Sequence, residues 1–307
     1  MANIHFILQG KGGVGKSVSA WVLSQFLLDR AASRYWADKT PEQQKEESVS
    51  MADLSYWETP EAPAGSEFNP VIIDIDPLNA TLSEFKALHP RRFDLFIPTD
   101  DPYDRYHLRQ EVFDEMMDLI FNSPNDVIVD VGSAGFAPFC HYLIENNALK
   151  HLIEPACKNK HQAYIHSVVA GGDNFSVTVS SFADLAQQIP RQQNPADASS
   201  PEVKFMVWLN PYFGKVTFNK MSFEDTDAYA DNKSRIAGII RMPNTRRSEL
   251  FDQAMSMCLE NRWTFREFIR AGNIPVKGKP KISTMAVSRI VDVRDQYYSE
   301  LEAMREI

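Results

Sequence analysis

The sequence has few cysteines and no long apolar run. Its 307 residues include three cysteines, Cys140, Cys157 and Cys258, whose spacing fits neither a disulfide framework nor a C-x-x-C metal site. No apolar stretch approaches the roughly 18 residues of a membrane span, and no signal peptide precedes the first apolar run. Internal repeats and low-complexity tracts are missing as well. We therefore expect a cytoplasmic protein that does not bind membranes.

Positive charge is also scarce. The chain has 32 Lys and Arg residues against 41 Asp and Glu residues, a net charge of −9. This balance argues against a protein whose whole surface binds nucleic acid, but it leaves room for a local basic patch. Hydrophobic residues make up 44% of the chain and charged residues 24%, which is typical of a globular protein. The length suits one large α/β domain or two small ones.

A glycine-rich loop follows the apolar run Ile4–Leu8 and precedes a helical pattern from Val18 to Arg30. A strand, a glycine loop and a helix in this order predict a phosphate-binding P-loop. The glycines at positions 12, 13 and 15 permit positive φ and close approach to a phosphate, which the helix N-terminus also attracts. We predict that Lys16 contacts the β- and γ-phosphates and that Ser17 binds Mg²⁺. The predicted nucleotide-binding loop comprises Gly10, Lys11, Gly12, Gly13, Val14, Gly15, Lys16, Ser17 and Val18.

Two other short apolar runs end in aspartates. The run from Val71 carries Asp74 and Asp76, and the run from Val127 ends at Asp130. Such β-branched runs predict buried parallel strands, whose carboxyl ends form the ligand-binding edge of an α/β sheet. Asp130 suits a Walker B role, in which it holds Mg²⁺ opposite the P-loop serine. Two interpretations of Asp76 remain open: it belongs to the ligand-binding site, or it caps the next helix.

Other patterns complete a prediction of the fold. Further strands are predicted at 93–97, 163–169, 204–210 and 235–240, and helices at 181–189 and from Asp101-Pro102 onward. Residues 31–70 carry eight acidic and three basic side chains, and we interpret them as an insertion, either a surface excursion or a lid. The spacing of four histidines matches no metal motif, so we predict structural roles for them: His141, His151, His161 and His166.

The last predicted helix runs to Ile307 and has one apolar stripe. Its polar face carries more acidic than basic residues, whereas a membrane-surface helix needs a basic face. We predict that the helix packs on the domain or on a partner and does not bind lipid. The predicted domains are a nucleotide-binding domain at 1–282 and a C-terminal amphipathic helix at 283–307. The stripe consists of Ile290, Val293, Tyr297, Leu301 and Met304.

The segment Lys11–Ser17 resembles the deviant Walker A motif of the ParA/MinD family. The resemblance implies a P-loop NTPase fold of the α/β class, with a mostly parallel twisted sheet and helices on both faces. It also implies ATP and Mg²⁺ as ligands, and an ATP-dependent homodimer in which Lys11 reaches the partner's phosphates. By the same match, Lys11, Lys16 and Asp76 are catalytic residues, and Asp76 orients or activates the attacking water. Ser17, Asp76 and Asp130 are the implied metal ligands.

The match extends to the base pocket, where Asn210 corresponds to an asparagine that binds adenine. The segment Met242-Pro243-Asn244 could form a wall of this pocket. The sequence departs from the family after Asp130, because Gly132 and Ser133 stand where prolines are usual. It resembles most the TraL/StbB-type ATPases of plasmid conjugal transfer and maintenance, which implies plasmid transfer or partition proteins as partners. The motifs that carry this closer resemblance lie at 4–11, 76–81, 168–172, 207–212 and 222–224.

Two functional hypotheses remain open. The first is an ATP-driven dimerisation switch that hydrolyses ATP slowly without a partner. The second is a nucleotide-gated adaptor with negligible hydrolysis that recruits another protein. Metal-cluster reductase chemistry is disfavoured, because it needs interface cysteines that the sequence does not offer. Two interpretations of the basic residues have equal weight: they bind DNA without sequence specificity, or they form a solvated basic loop. These residues are Arg241, Arg246, Arg247 and the turn Lys277–Lys281.

Overall fold

The computed structural model describes most of the chain. Seven parallel strands form one sheet within this part, in the spatial order β7-β6-β5-β1-β4-β2-β3. The predicted α/β fold with a mostly parallel sheet is therefore confirmed. The strands are β1 (Ala2–Ile7), β2 (Val71–Asp74), β3 (Arg91–Arg92), β4 (Val127–Asp130), β5 (His161–Ala170), β6 (Lys204–Asn210) and β7 (Ile236–Arg241). The described residues are 2–40, 43, 61–63, 66–77, 79–98, 106–153, 161–189, 202–273 and 281–304.

Helices cover both faces of this sheet, and each face has its own apolar core. One core contains side chains of α2 to α5, and the other contains side chains of α1 and of α7 to α9. Because both faces are buried, the strands read as nearly continuous apolar runs. The helices are α1 (Lys16–Ala37), α2 (Glu111–Asn122), α3 (Ser133–Glu145), α4 (Ala148–Ile153), α5 (Phe175–Gln188), α6 (Asp227–Ala230), α7 (Glu249–Glu260), α8 (Phe265–Asn273) and α9 (Thr284–Glu302).

The register of the central strands brings three chain segments to one edge. In β1, Ile7 lies opposite Asp130 of β4 and His166 of β5. In turn, Asp130 lies opposite Asp74 of β2. The P-loop and the acid-tipped ends of β2 and β4 therefore meet at the carboxyl edge, as expected for an α/β sheet.

The structural role predicted for His166 agrees with its place in a buried row of polar side chains. His5 Nδ1 and His166 Nε2 lie 2.9 Å apart, and Trp208 Nε1 donates to His166 Nδ1 at 2.9 Å, so this buried row crosses three strands. Burial lowers the pKa of His5 to about 3 and also lowers that of His166, so both rings stay neutral. His141 is exposed beside Glu145. Among the residues that the structure describes, no group of three His, Cys, Asp or Glu side chains is arranged for a metal.

Two elements predicted between β2 and β4 are present but have different limits. The strand predicted at 93–97 lies at Phe96–Pro98 and pairs in antiparallel fashion with Tyr106–Leu108, outside the main sheet. The helix predicted from Asp101-Pro102 begins at Glu111, beyond that hairpin. An Asp-Pro pair favours a turn as well as a helix start, and here the second strand of the hairpin follows it in the sequence. Residues 99–105, including Asp101 and Pro102, lie outside the described part.

Other helices differ from the predictions in their limits. α1 extends to Ala37, so the first turns of the predicted insertion at 31–70 are helical. α5 begins at Phe175 instead of Ser181. Most of the remaining insertion, Leu78, Cys157 and the turn residues 277–280 lie outside the part that the structure describes. A second small hairpin, Thr217–Phe218 with Met221–Ser222, follows β6.

The C-terminal helix α9 packs on the body of the domain. The predicted stripe faces inward: Ile290, Val293, Tyr297 and Leu301 are buried, and Met304 packs against the same core. Ser283 caps the helix by accepting from the backbone N–H of Ala286 at 3.2 Å. None of the described helices combines the length and apolarity that a membrane crossing requires.

Candidate nucleotide-binding site

The P-loop connects β1 to α1 through two glycines in the left-handed region. Gly13 has φ 71° and Gly15 has φ 108°, conformations that other residues rarely adopt. A side chain at Gly15 would also come within 2.7 Å of Asn210 Nδ2. The expectation of positive φ at Gly12 is wrong, because only Gly13 and Gly15 adopt it in this loop. The backbone N–H groups that follow lie at the start of α1, where the helix dipole favours an anion.

The two lysines of the loop lie in opposite environments. Lys16 is 7% exposed, and its Nζ donates a 2.9 Å hydrogen bond to the carbonyl oxygen of Lys11. Burial lowers the pKa of Lys16, and the charges of Asp130 and Asp76 oppose that shift. The Lys11 side chain, by contrast, is exposed and has no hydrogen bond or ion pair within the described residues. Lys16 therefore faces the interior of the site and Lys11 faces outward.

Asp130 is buried at the end of β4. Neither of its carboxylate oxygens accepts a well-aligned hydrogen bond from the described residues. Burial, and then the charge of Asp74, raise the pKa of Asp130 to about 7, while the nearby Ser17 hydroxyl and Lys16 act in the opposite direction. A buried carboxylate without a donor is costly. A cation bound at this point would remove that cost.

Asp74 and Asp76, two residues apart, have different partners. Asp74 is fully buried and accepts from the backbone N–H groups of Asp76 at 3.0 Å and Ser83 at 2.7 Å. It therefore holds the chain that leaves β2. Asp76 is partly exposed, and its Oδ1 accepts from the backbone N–H of Asn79 at 3.0 Å. This contact closes a local turn and fixes the carboxylate near the P-loop. The alternative that Asp76 caps the next helix is wrong, because Thr81 is the N-cap residue of the helical turn Leu82–Glu84.

Gly132 has a steric role next to Asp76. A Cβ atom at position 132 would lie 2.1 Å from Asp76 Cγ and 2.4 Å from each carboxylate oxygen. A side chain there, proline included, would displace the carboxylate. Glycine at this position, where the family usually has proline, therefore leaves room for the Asp76 carboxylate.

The oxygen donors at this edge fit a magnesium ion. Mg²⁺ prefers oxygen ligands and is usually held by one or two carboxylates together with substrate phosphates and water. Asp130 offers two buried oxygens without well-aligned donors, and Ser17, Lys16 and Asp76 lie close enough to affect its pKa. Ser17, Asp130 and Asp76 could hold the ion. Because this set has only two carboxylates, a bound nucleotide would have to complete it.

A cavity of about 200 Å³ opens beside the P-loop. The residues predicted to contact the base, Asn210 and Pro243, line it together with Val18, Gly13 and Gly15. Asn210 is held by two backbone groups: its Nδ2 donates to the Val14 carbonyl at 2.8 Å, and its Oδ1 accepts from the Tyr212 N–H at 3.0 Å. The structure thus brings the predicted base residues and the P-loop to one pocket.

Several residues of this cavity were missed by sequence reasoning. They belong to the loop after β6 and to helices α7 and α9, far along the chain from the P-loop. The apolar periodicity of these helices predicts a buried face, but it does not say what that face contacts. The missed lining residues include Tyr212, Phe213, Asp252, Met255, Ser256, Leu259 and Tyr297.

The basic residues considered for DNA binding are partly engaged within the fold. Arg241 pairs with Glu224 at 2.9 Å. The guanidinium of Arg246 lies 5.0 Å from the centre of the Tyr212 ring, and that of Arg247 lies 4.1 Å from the centre of the Phe251 ring. Most of the turn Lys277–Lys281 is outside the described part. The described arginines thus include one that is neutralised and two that lie over aromatic rings.

Comparisons with known proteins identify close relatives over the whole chain. Two proteins named Protein TraL from Escherichia coli are each 31% identical to it, one over 303 residues (99% of this chain and 98% of the relative) and one over 302 residues (98% of each). No model of a protein family matches the sequence.

Solved structures give weaker matches. A MinC:MinD cell division protein complex from Aquifex aeolicus has 16% identity and a TM-score of 0.41, with 97% of this chain and 96% of that chain covered. A putative plasmid partition protein from Borrelia burgdorferi B31 bound to AMPPNP has 12% identity and a TM-score of 0.30, with 97% and 99% covered. Similarities at this level carry no argument about function.

Proposed function

The chain belongs to the TraL family, and we propose that it is a P-loop ATPase that uses ATP and Mg²⁺ to switch between a monomer and a homodimer. The resemblance to TraL/StbB-type ATPases supports a role in plasmid conjugal transfer or maintenance, with plasmid transfer or partition proteins as partners. Hydrolysis would be slow in the absence of such a partner.

The contrast between the two lysines of the P-loop is the observation that supports this proposal most. Lys16 is buried near Asp130 and Asp76, where its ammonium group can exchange the Lys11 carbonyl for phosphate oxygens. Lys11 sits in the same loop with its amine exposed to solvent. A cation in that position can neutralise the phosphates of a second subunit. Dimerisation would then depend on the nucleotide.

We assign roles in hydrolysis to the residues that would hold Mg²⁺, the terminal phosphate and the attacking water. Bound Mg²⁺ would neutralise charge on the phosphate oxygens. Ser17 and Asp130 would hold the ion, and Lys16 would orient the terminal phosphate. Asp76, fixed by the Asn79 N–H and packed against Gly132, would accept a hydrogen bond from the attacking water. Catalysis of this kind depends mainly on positioning and charge stabilisation.

Sedimentation velocity with and without nucleotide tests the proposal. We expect a monomer without nucleotide or with ADP, and a dimer with ATP and Mg²⁺. Parallel turnover measurements should detect slow release of phosphate. If ATP neither binds nor changes the mass, the proposal is wrong. If ATP binds without turnover under every condition, including addition of plasmid transfer proteins, the adaptor hypothesis replaces the ATPase.

A further inference from the structure

Helices α7 and α9 contribute to the lining of the cavity beside the P-loop. Asp252 and Ser256 are one helical turn apart on α7, so they share a face, and both line the cavity. Tyr297 of α9 lines it too and is 3% exposed. The cavity lining therefore combines one carboxylate and two hydroxyl groups with the P-loop glycines.

These polar groups have no partners within the described chain. No hydrogen bond or ion pair there engages the Asp252 carboxylate, the Ser256 hydroxyl or the Tyr297 hydroxyl. Asn210, which also lines the cavity, already bonds two backbone groups. Tyr297 is buried, and a buried polar group almost always has a hydrogen-bond partner. Asp252 and Ser256 are half-buried, so water reaches them in the open cavity, and a ligand that fills the cavity would have to replace those contacts.

The lining between these groups suits a flat aromatic ring. Met242, Met255 and Leu259 contribute apolar surface, and the cavity of about 200 Å³ is continuous with Gly13 and Gly15 of the P-loop. A ligand whose phosphates occupy the loop could therefore place a ring in the cavity. Pockets for such ligands are mostly apolar, with a few polar groups that set orientation and specificity.

We propose that Asp252 selects adenine by accepting a hydrogen bond from its 6-amino group, and that the Ser256 and Tyr297 hydroxyls donate to ring nitrogens. This inference rests on the proposed binding of a nucleotide triphosphate at the P-loop. A carboxylate only accepts hydrogen bonds, so it complements the 6-amino group of adenine and repels the 6-carbonyl oxygen of guanine. A site whose buried polar group loses its partner strongly rejects the analogue that lacks the matching group.

Calorimetric titration of three nucleotides tests the role of Asp252. The ligands are ATP, GTP and purine riboside 5′-triphosphate, which lacks the 6-amino group. We expect the wild-type protein to bind ATP about tenfold more tightly than the purine analogue. In Asp252→Ala this preference should disappear, because affinity for ATP falls while affinity for the analogue stays. Glu260→Ala, which removes an exposed acid at the end of the same helix, is the control and should change neither the affinity for ATP nor the affinity for the purine analogue.

Two further variants separate recognition from structural support. Tyr297→Phe removes only the hydroxyl and should weaken ATP and the purine analogue alike, since both keep the ring nitrogens. Asp252→Asn keeps the shape of the side chain and adds a donor for the guanine oxygen, so the preference for ATP over GTP should fall at least about tenfold. The Asn variant also serves if the Ala variant does not fold, which thermal unfolding would show.

The failures of the two proposals are distinguishable. If the wild-type protein binds ATP and the purine analogue equally, or prefers GTP, the role of Asp252 is overturned while nucleotide binding stands. That role is also overturned if Asp252→Ala weakens both ligands equally, or if Asp252→Asn leaves the preference for ATP over GTP unchanged. If no triphosphate binds the wild-type protein, the proposed function itself fails.

Discussion

The hydroxyl of Tyr298 donates a 2.7 Å hydrogen bond to Asp29 Oδ2 and so fastens the C-terminal helix to α1. The other oxygen of Asp29 accepts from Arg266 Nε of α8 at 2.6 Å. One carboxylate therefore joins three helices at a partly buried position. Burial, and then the charge of Asp29, raise the pKa of Tyr298 well above its usual value.

Tyr298→Phe should lower the free energy of unfolding by about 1 to 3 kcal/mol, because a hydrogen bond to a charged acceptor is lost while the ring packing stays. Urea unfolding of the nucleotide-free protein measures the change. Tyr212→Phe is a matched control at a ring that is 40% exposed, and it should change stability by less than about 0.5 kcal/mol. Equal effects of the two variants would contradict the anchoring role of Tyr298.

The intact protein should not co-sediment with anionic vesicles. The apolar stripe of α9 is already buried against the domain, and Asp292, Asp295 and Glu300 lie on its polar side. To bind lipid, the apolar stripe would have to separate from the core, which would cost the free energy gained by burying its apolar area. Deleting residues 288–307 should lower the unfolding temperature. Vesicle binding by the intact chain that this deletion abolishes would prove the expectation wrong.

Lys16→Ala should weaken ATP binding more than about a hundredfold, because the buried phosphates lose their main charge partner. Lys11→Ala should change the affinity of the monomer less than about threefold, since its amine is exposed, but it should abolish the ATP-dependent dimer. Titration and sedimentation of both variants measure these two effects. An equal loss of binding would mean that both lysines contact the nucleotide of their own subunit.

Asp76→Ala should bind ATP and accumulate as a dimer, with turnover reduced at least about a hundredfold. Asp74→Asn should instead lose about 1 to 3 kcal/mol of stability, because its carboxylate accepts from the backbone N–H groups of Asp76 and Ser83. Phosphate release and urea unfolding of both variants separate these roles. Normal turnover by Asp76→Ala would transfer the role to Asp74 or Asp130.

Asp130→Asn should stabilise the nucleotide-free protein above neutral pH. The pKa of Asp130 is raised from 3.8 to about 7 in the folded chain, mainly by burial. Between these values the folded state keeps a proton that the unfolded state releases, so stability falls as pH rises through this window. At about pH 8 the variant should exceed wild type by about 1 kcal/mol or more, and at about pH 4 the difference should shrink. His5 and His166 titrate in both proteins and cancel in this comparison. Parallel stability curves from pH 4 to 8 would exclude the proposed burial effect.

Features with a short-range physical signature could be predicted from the sequence. The apolar runs of β1, β2 and β4 and the glycines before α1 indicate their elements directly, because burial pattern and positive φ are local requirements. The apolar stripe of α9 is the buried face, as predicted. The prediction was possible because an acidic polar face disfavours lipid binding and so favours packing of the stripe on the protein. The different hydrogen-bond partners of Asp74 and Asp76 could not be predicted in this way, because both residues stand at the end of the same apolar run.

The sequence by itself determined the order and type of most elements, the glycine loop and the candidate acids. Only the tertiary structure decided that the strand at Phe96–Pro98 pairs outside the main sheet, and that Gly132 leaves room for Asp76. It also decided that Asp252 and Tyr297 line the same cavity as the P-loop glycines. The physical reason is that periodicity encodes which face of an element is buried, whereas its neighbour depends on packing between segments that lie far apart along the chain.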